Sequence, residues 1–304
     1  MKSLLAPIAG ISLFLFLWSI AAQNIDTSLG QFPGPSAVMN QFQALYQDHR
    51  QERQKAAAFY QRQEQRNQQR IAADPGYEPK IRQYTGKKTF LDQIGTSLVT
   101  VMCGFVTAAV IAIPLGIMLG LSRRLYAAVN PIIQIFKPVS PLAWLPLVTM
   151  VVSALYVSDD PAIPKSFVNS MITVSLCSLW PMMINTSIGV ASLDQDLVNV
   201  SRVLRLPALK HVQKIVLPAS IPAIFTGMRL SLGVAWMVLI AAEMLAQNPG
   251  LGKFVWDEFQ NGSSDSLARI MAAVVVIGFI GYLLDRAMLI LQRRVSWDKS
   301  ATML

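Results

Sequence analysis

Four stretches of this chain, 3–25, 93–122, 138–158 and 166–193, carry no charged side chain. At 1.5 Å of rise per residue about 20 residues cross the hydrocarbon of a bilayer, so each stretch is long enough to span. In hydrocarbon every backbone N–H and C=O must bond within its own segment, which leaves helix as the structure these runs can adopt. Two further runs are nearly clean: 218–242 is interrupted by Arg229, and 270–292 by Asp285 and Arg286 near its end. The expectation is an all-α integral membrane protein with about six transmembrane helices. Only 14% of the 304 residues are charged, against roughly 25% in soluble domains, which points away from a soluble enzyme. The first run follows Lys2 and closes on Ala21 and Ala22, as a secretory signal would. Its apolar part exceeds the roughly 7 to 15 residues of a signal core, so it reads first as an uncleaved helix.

Charge then sets the orientation. Lys and Arg exceed Asp and Glu by 26 to 17, a net charge of +9, which in a membrane protein bears on topology before it bears on nucleic acid. With the N-terminus in the cytoplasm, the inside segments collect Lys2, Arg123, Arg124, Lys137, Arg202, Arg205, Lys210, Lys214, Arg286, Arg293, Arg294 and Lys299. The short outside loops hold Lys165, Lys253 and Arg269. That asymmetry fits a membrane protein with both termini in the cytoplasm. The exception is the connection between the first two spans, where ten basic residues from Arg50 to Lys88 face five acidic ones from Asp48 to Glu78.

This connection opens with Phe32-Pro33-Gly34-Pro35-Ser36, with Ser36 as helix N-cap, and closes at Asp74-Pro75-Gly76. Between them Phe42, Tyr46, His49, Arg53, Ala56 and Tyr60 recur at helical spacing among many glutamines, which predicts a long polar helix with one mildly apolar stripe. A solvated arm, a docking surface for an outside partner or lipid headgroups, and disorder all fit that pattern. The division is a first helix at 1–25, a periplasmic basic insert at 26–91, a five-helix core at 92–294 with a cytoplasmic loop at 194–217, and a cytoplasmic tail at 295–304.

Within the core, Gly104, Ala108, Ala112, Gly116 and Gly120 recur every fourth residue, and Gly227, Ser231 and Ala235 do likewise in the fifth span. Small residues let helix backbones approach where lipid supplies little hydrophobic drive. Pro131, Pro138, Pro141 and Pro146 predict a kinked or elbowed third passage. In the loop, 194–206 and 208–217 are separated by Pro207 and stopped by Pro218. Leu197, Val200 and Leu204 in the first piece match Leu209, Val212 and Val216 in the second. Two short amphipathic helices of this kind can enter a cleft on another protein or lie on anionic lipid.

The residues of that loop carry a resemblance. Val200-Ser201-Arg202-Val203-Leu204-Arg205, then 214–222 ending Leu217-Pro218-Ala219-Ser220-Ile221-Pro222, then Phe225-Thr226-Gly227-Met228-Arg229-Leu230 resemble the coupling-loop signature of permease subunits of bacterial ATP-binding-cassette importers. Ser122-Arg123, 141–146, Asn185-Thr186, Trp236 and Ala241-Ala242-Glu243 resemble the nitrate, bicarbonate, cyanate and sulfonate branch, nitrate permeases most. The likeness runs over about 94–294 and includes the Phe32–Pro35 entry. It departs where the usual Glu-Ala-Ala reads Asn199-Val200-Ser201, and where the following glycine is Arg205.

The resemblance implies a type I importer bundle in which two permease copies, a homodimer, line one pathway. Each copy would couple through Asn199, Val200, Ser201, Arg202, Leu204, Arg205 and Leu206 to one of two cytoplasmic ATPase subunits. A periplasmic substrate-binding protein would deliver the substrate, a small inorganic anion with nitrate first and taurine or an alkanesulfonate as the other choice. ATP and Mg would belong to the ATPase, since this chain contains no G-x-x-x-x-G-K-[ST] loop, and no cofactor of its own is expected. The two cysteines, Cys103 and Cys177, lie in apolar runs, and His49 and His211 stand apart from any ligand cluster, so both histidines are taken as surface residues and no metal site is expected. An intramembrane enzyme or a receptor anchored by the bundle are the competing classes. The candidate pathway residues are Arg229, Trp236, Glu243, Asn185 and Trp144; intramembrane charge implies function because it is costly to bury. Arg229 and Glu243 lie about 21 Å apart along one helix and cannot pair.

Overall fold

The computed structural model describes residues 2–27, 30–74, 76–79, 81–157, 163–263 and 265–295. Pro75, Lys80, Ser158, Lys299 and Ser300, the rest of the 296–304 tail, and the side chain of Lys2 lie outside the described residues. In chain order the elements begin with α1 (Lys2–Asn24), a two-stranded antiparallel hairpin of β1 (Asp26–Thr27) and β2 (Gly30–Gln31), and α2 (Pro35–Ala73). They continue with α3 (Phe90–Leu121), α4 (Arg123–Phe136), α5 (Pro141–Leu155), α6 (Lys165–Ala191) and α7 (Gln195–Val203). The last are α8 (Ala208–His211), a π-helical turn (Val212–Val216), α9 (Leu217–Ala246), α10 (Leu251–Asn261) and α11 (Ser266–Val295).

Five stretches are long and apolar enough to cross a membrane: Ala6–Asn24, Phe90–Leu121, Lys165–Ala191, Ala208–Ala246 and Ser266–Val295. The proline-rich passage forms α4 and α5, bent by 100°, and counting this pair as one span gives six. The bend falls at 137–140, where Ser140 caps α5 by accepting from the Leu142 amide. Pro131 and Pro146 sit inside their helices, so two of the four prolines make the elbow.

The chain divides into two compact units, 1–96 with 249–275, and 97–248 with 276–304. In the second unit the small-residue row of α3 lies against α6. A side chain at Gly116 would meet the Met183 carbonyl at 2.7 Å, and one at Gly120 would meet Val190 at 2.5 Å and the Ser187 carbonyl at 2.6 Å. Ala108 and Ala112, earlier in the same row, are fully buried. On the other side of α6, Gly227 of α9 faces Met182 and Asn185, and Ser231 and Ala235 are buried too. Around these seams Phe105, Ile133, Met182, Met183, Leu232 and Met288 form the apolar core.

In the first unit α2 starts two residues earlier than expected. Gly34, not Ser36, is the N-cap, and Pro35 occupies the first helical turn, where its missing N–H is not needed. The expected stripe is also rotated. Val38 and Leu45 are buried and Glu52 and Phe59 half-buried, whereas Tyr46 and Tyr60 are exposed; Phe42, His49 and Ala56 remain on the covered side. The cause is the returning segment 81–89, which is stapled along α2. The Arg82 amide donates to Gln63 Oε1 (3.0 Å), the Tyr84 amide to Tyr60 Oη (3.1 Å) and the Lys87 amide to Glu52 Oε1 (3.1 Å). Tyr84 Oη donates to the same Glu52 carboxylate at 2.7 Å. Gly86 permits this approach, since a Cβ there would lie 2.2 Å from Glu52 Oε1.

Candidate functional site

Asp194 starts α7 by accepting from the Asp196 amide, and the helix stops in a Schellman turn. The Leu206 amide donates to the Ser201 carbonyl and the Arg205 amide to the Arg202 carbonyl, each at 3.1 Å. Arg205 holds φ +49°, the left-handed conformation glycine adopts most freely, which explains why glycine is usual there and why Arg carries some strain. Asn199, Val200, Arg202, Leu204 and Arg205 are exposed, and Leu206 is half-buried. Ser201 points inward, buried and hydrogen-bonded to His211 Nδ1 at 2.7 Å. It ties α7 to α8 and does not belong to the exposed face. This also corrects the assignment of the histidines to the surface: His211 and His49 are both half-buried, and His49 Nδ1 bonds Thr89 Oγ1 at 2.7 Å.

Apolar exposure on this loop is concentrated. Val200 is 48% exposed, Leu204 62% and Val203 82%, a cluster that solvent alone does not explain. Val203, the most exposed of these, was passed over because it falls outside the Leu197, Val200 and Leu204 spacing. The second piece departs from expectation. Val216 is fully buried, and Pro218 does not stop the helix, because α8 runs through the π-helical turn into α9. A π turn skips one backbone bond and so absorbs a proline that lacks a donor.

The charges of the bundle are paired within it. Arg229 forms a two-pronged ion pair with Asp285 of α11: Nε and Nη2 each lie 3.1 Å from Oδ1, and Nη2 lies 3.3 Å from Oδ2. Asp285 was noted in the sequence only as an interruption. Its signal was there, since two lone charges of opposite sign in apolar spans seek each other. Glu243 is fully buried; the Ser97 hydroxyl lies 2.7 Å and 2.9 Å from its two oxygens. Asn248, just past α9, donates to Thr100 Oγ1 at 3.2 Å. Trp236 is buried, and its indole donates to the Ile277 carbonyl at 2.9 Å.

Glu243 and Trp236 are enclosed by helices of their own chain in this structure. Asn185, half-buried, donates to the Pro181 carbonyl at 2.8 Å. Trp144 stacks on Phe136 (5.7 Å between centroids), and Phe136 stacks on Trp180 (6.4 Å). The structure brings neither Asn185 nor Trp144 to the Arg229 pair. Among the described residues no group of three or more His, Cys, Asp or Glu could hold a metal.

Comparison with known proteins agrees with this architecture. Residues 112–297 match the family described as binding-protein-dependent transport system inner membrane component. The chain is 36% identical over 207 residues to the nitrate import permease protein NrtB of Leptolyngbya laminosa, 68% of this chain and 69% of that protein. It is 39% identical over 203 residues to NrtB of a Synechocystis species, 67% and 69% of the two chains. With the bicarbonate transport system permease protein CmpB of Synechococcus elongatus the identity is 33% over 294 residues, 96% of this chain and 90% of that one. Among solved structures, an inward-facing MetNI methionine ABC transporter aligns with a TM-score of 0.59 at 16% identity, covering 68% of this chain and 96% of that one; this likeness bears on the fold. The chain belongs to the binding-protein-dependent inner membrane components, multi-pass permease subunits of ATP-binding-cassette importers that work with ATPase and substrate-binding partners.

Proposed function

We propose that this chain is the permease subunit of an importer of a small planar oxyanion, nitrate first. The observation that carries this reading is the likeness to nitrate and bicarbonate permeases at 33% to 39% identity. Bicarbonate is the second reading, favoured by the longer alignment with the bicarbonate permease, 294 residues against 207. Nitrite and cyanate share the shape or charge of these anions, and taurine is the more distant choice. Two copies of the chain form a homodimer around the pathway, with the N-terminus and C-terminus in the cytoplasm and the 26–91 insert outside. The chain hydrolyses no ATP itself; ATP and Mg are held by the two ATPase subunits, and the permease core of 92–294 supplies the passage. Uptake of labelled nitrate and labelled bicarbonate by cells expressing the whole complex tests the choice of anion. Uptake of taurine alone would overturn the oxyanion reading while leaving the permease in place.

The 194–217 loop couples the permease to the ATPase through Val200, Val203 and Leu204, supported by Asn199, Arg202, Arg205 and Leu206. Their exposure supports this role, because an apolar face of this kind gains about 1.5 to 3 kcal/mol per side chain when buried. Val200→Asp with Leu204→Asp would place carboxylates against an apolar groove. The chain should insert normally but no longer copurify with the ATPase; an unchanged yield of complex would remove the loop from that role.

A further inference from the structure

The distal half of α2 carries a groove lined by four arginines. Arg62, Arg66 and Arg70 follow one another at four-residue steps, and Arg82 enters from the returning segment to close a cavity of about 330 Å³ floored by Phe59 and Tyr77. Four-residue steps place successive guanidiniums about 6 Å apart on one helix face. Arg70 is fixed over the Tyr77 ring at 5.4 Å and donates to its hydroxyl at 3.1 Å, and Arg62 Nε donates to the Ala58 carbonyl at 3.1 Å. Arg82 is anchored by its own amide on Gln63. Among the described residues none of the four guanidiniums has an ion pair with a carboxylate. Two other arginines of the same unit do form ion pairs, Arg53 with Asp92 and Arg269 with Glu258.

The geometry points to a docking groove for an acidic segment of the importer's substrate-binding protein. Guanidinium forks select planar carboxylates, and a row of them with three members about 6 Å apart matches acidic side chains one helical turn apart. A single nitrate or bicarbonate could touch two of the four and would leave most of the cavity empty. A lipid surface fits less well, because a helix lying on a bilayer needs an apolar face. The stretch 61–70 reads Gln-Arg-Gln-Glu-Gln-Arg-Asn-Gln-Gln-Arg and has none. The inference rests on the reading above in which the 26–91 insert lies outside the cell.

The test uses the assembled permease and ATPase complex in nanodiscs of neutral phosphatidylcholine, with the purified substrate-binding protein as the probe. Arg62→Gln, Arg66→Gln and Arg82→Gln combined remove three charges but keep the Arg70–Tyr77 contact. This variant should weaken binding about tenfold at low salt and flatten its salt dependence. Arg50→Gln, an exposed α2 arginine outside the groove, should change it little. Equal affinity of the triple variant and the parent, or an equal loss with Arg50→Gln, would overturn the assignment. So would a defect confined to phosphatidylglycerol nanodiscs without the binding protein, which would make the groove a lipid site. Displacement of the binding protein by potassium nitrate beyond that by potassium chloride at equal ionic strength would make it an anion site. A cysteine at Gln65 that is not labelled from outside intact cells would fail the orientation reading itself, separately from the groove.

Discussion

Helices α3 and α6 meet where α3 has almost no side chains, whereas α2 holds the segment 81–89 through its own side chains. In the first case Gly116 and Gly120 lie within van der Waals reach of carbonyls on the neighbouring helix, and contact is a matter of shape. In the second, Glu52, Tyr60, Gln63 and Tyr84 hold a segment without regular structure by single hydrogen bonds. The bundle sits in a medium that gives no credit for hiding apolar surface, so close backbone approach must hold it together. The arm is rich in Gln and Arg and has little apolar surface to bury, so directional polar bonds carry it. The lesson is that the two regions should fail under different insults: one under added volume, the other under lost partners and pH.

The largest effect is expected from volume. Gly120→Val would drive methyls into Val190 and the Ser187 carbonyl and should destabilise the bundle by about 3 kcal/mol. Thermal unfolding followed by size-exclusion chromatography in detergent measures it, and an unshifted melting temperature would show that α3 and α6 can part without cost.

Next comes the ion pair of the bundle, Arg229 with Asp285. Arg229→Gln should cost about 1 to 2 kcal/mol, discounted because Arg229 and Asp285 are 31% and 46% exposed. Adding Asp285→Asn should recover most of the loss, since a neutral pair leaves no lone charge. If Arg229→Gln abolishes anion uptake and the double variant restores stability but not uptake, Arg229 acts on the anion as well as on Asp285.

A smaller effect is expected in the arm. Gly86→Ala should displace Tyr84 from Glu52 and loosen the segment locally. Faster amide hydrogen exchange in 81–88 with no change in the bundle's melting temperature is the expected pattern.

The subtlest expectation is a pH window. The Tyr84 hydroxyl, with Lys55 and the Lys87 amide helping, holds the Glu52 carboxyl below its ordinary 4.5, and the carboxylate holds the Tyr84 phenol above its ordinary 10.0. A lowered acid contributes fully above 4.5 and is lost as pH falls through its shifted value; a raised phenol contributes fully below 10.0 and is lost as pH rises through its own. Between those limits the tether should be constant. Carbon-13 spectra of labelled tyrosine and glutamate across the range read it, with Tyr84→Phe moving Glu52 up toward its ordinary 4.5.

Much of this was legible because hydrocarbon allows few solutions. Charge-free runs had to be helices, and a row of small residues had to be a seam. The errors arose where a neighbour distant in sequence decided the outcome. The stripe on α2 turned from Tyr46 and Tyr60 to Leu45 and Phe59 because 81–89 covers that side, which helical spacing cannot reveal. Pro218 reads as a stop by every local rule, yet a wide turn ahead of it lets the helix continue. The partners of Trp236 and Glu243, the Ile277 carbonyl and the Ser97 hydroxyl, are likewise far along the chain. Arg205 adopts the left-handed turn that the usual glycine would favour.

From Ala208 to Ala246 the chain is helical without a break, which makes the loop and the span a single torsion bar. A rod with no joint cannot bend away what is applied at one end; it turns. The π-helical turn at Val212–Val216 stores one residue of slack in that rod. Taking up the slack would advance the helical phase by about 100° per residue. A push on the exposed end can therefore arrive at the far end as rotation, moving a different set of side chains to the face the rod shares with its neighbours.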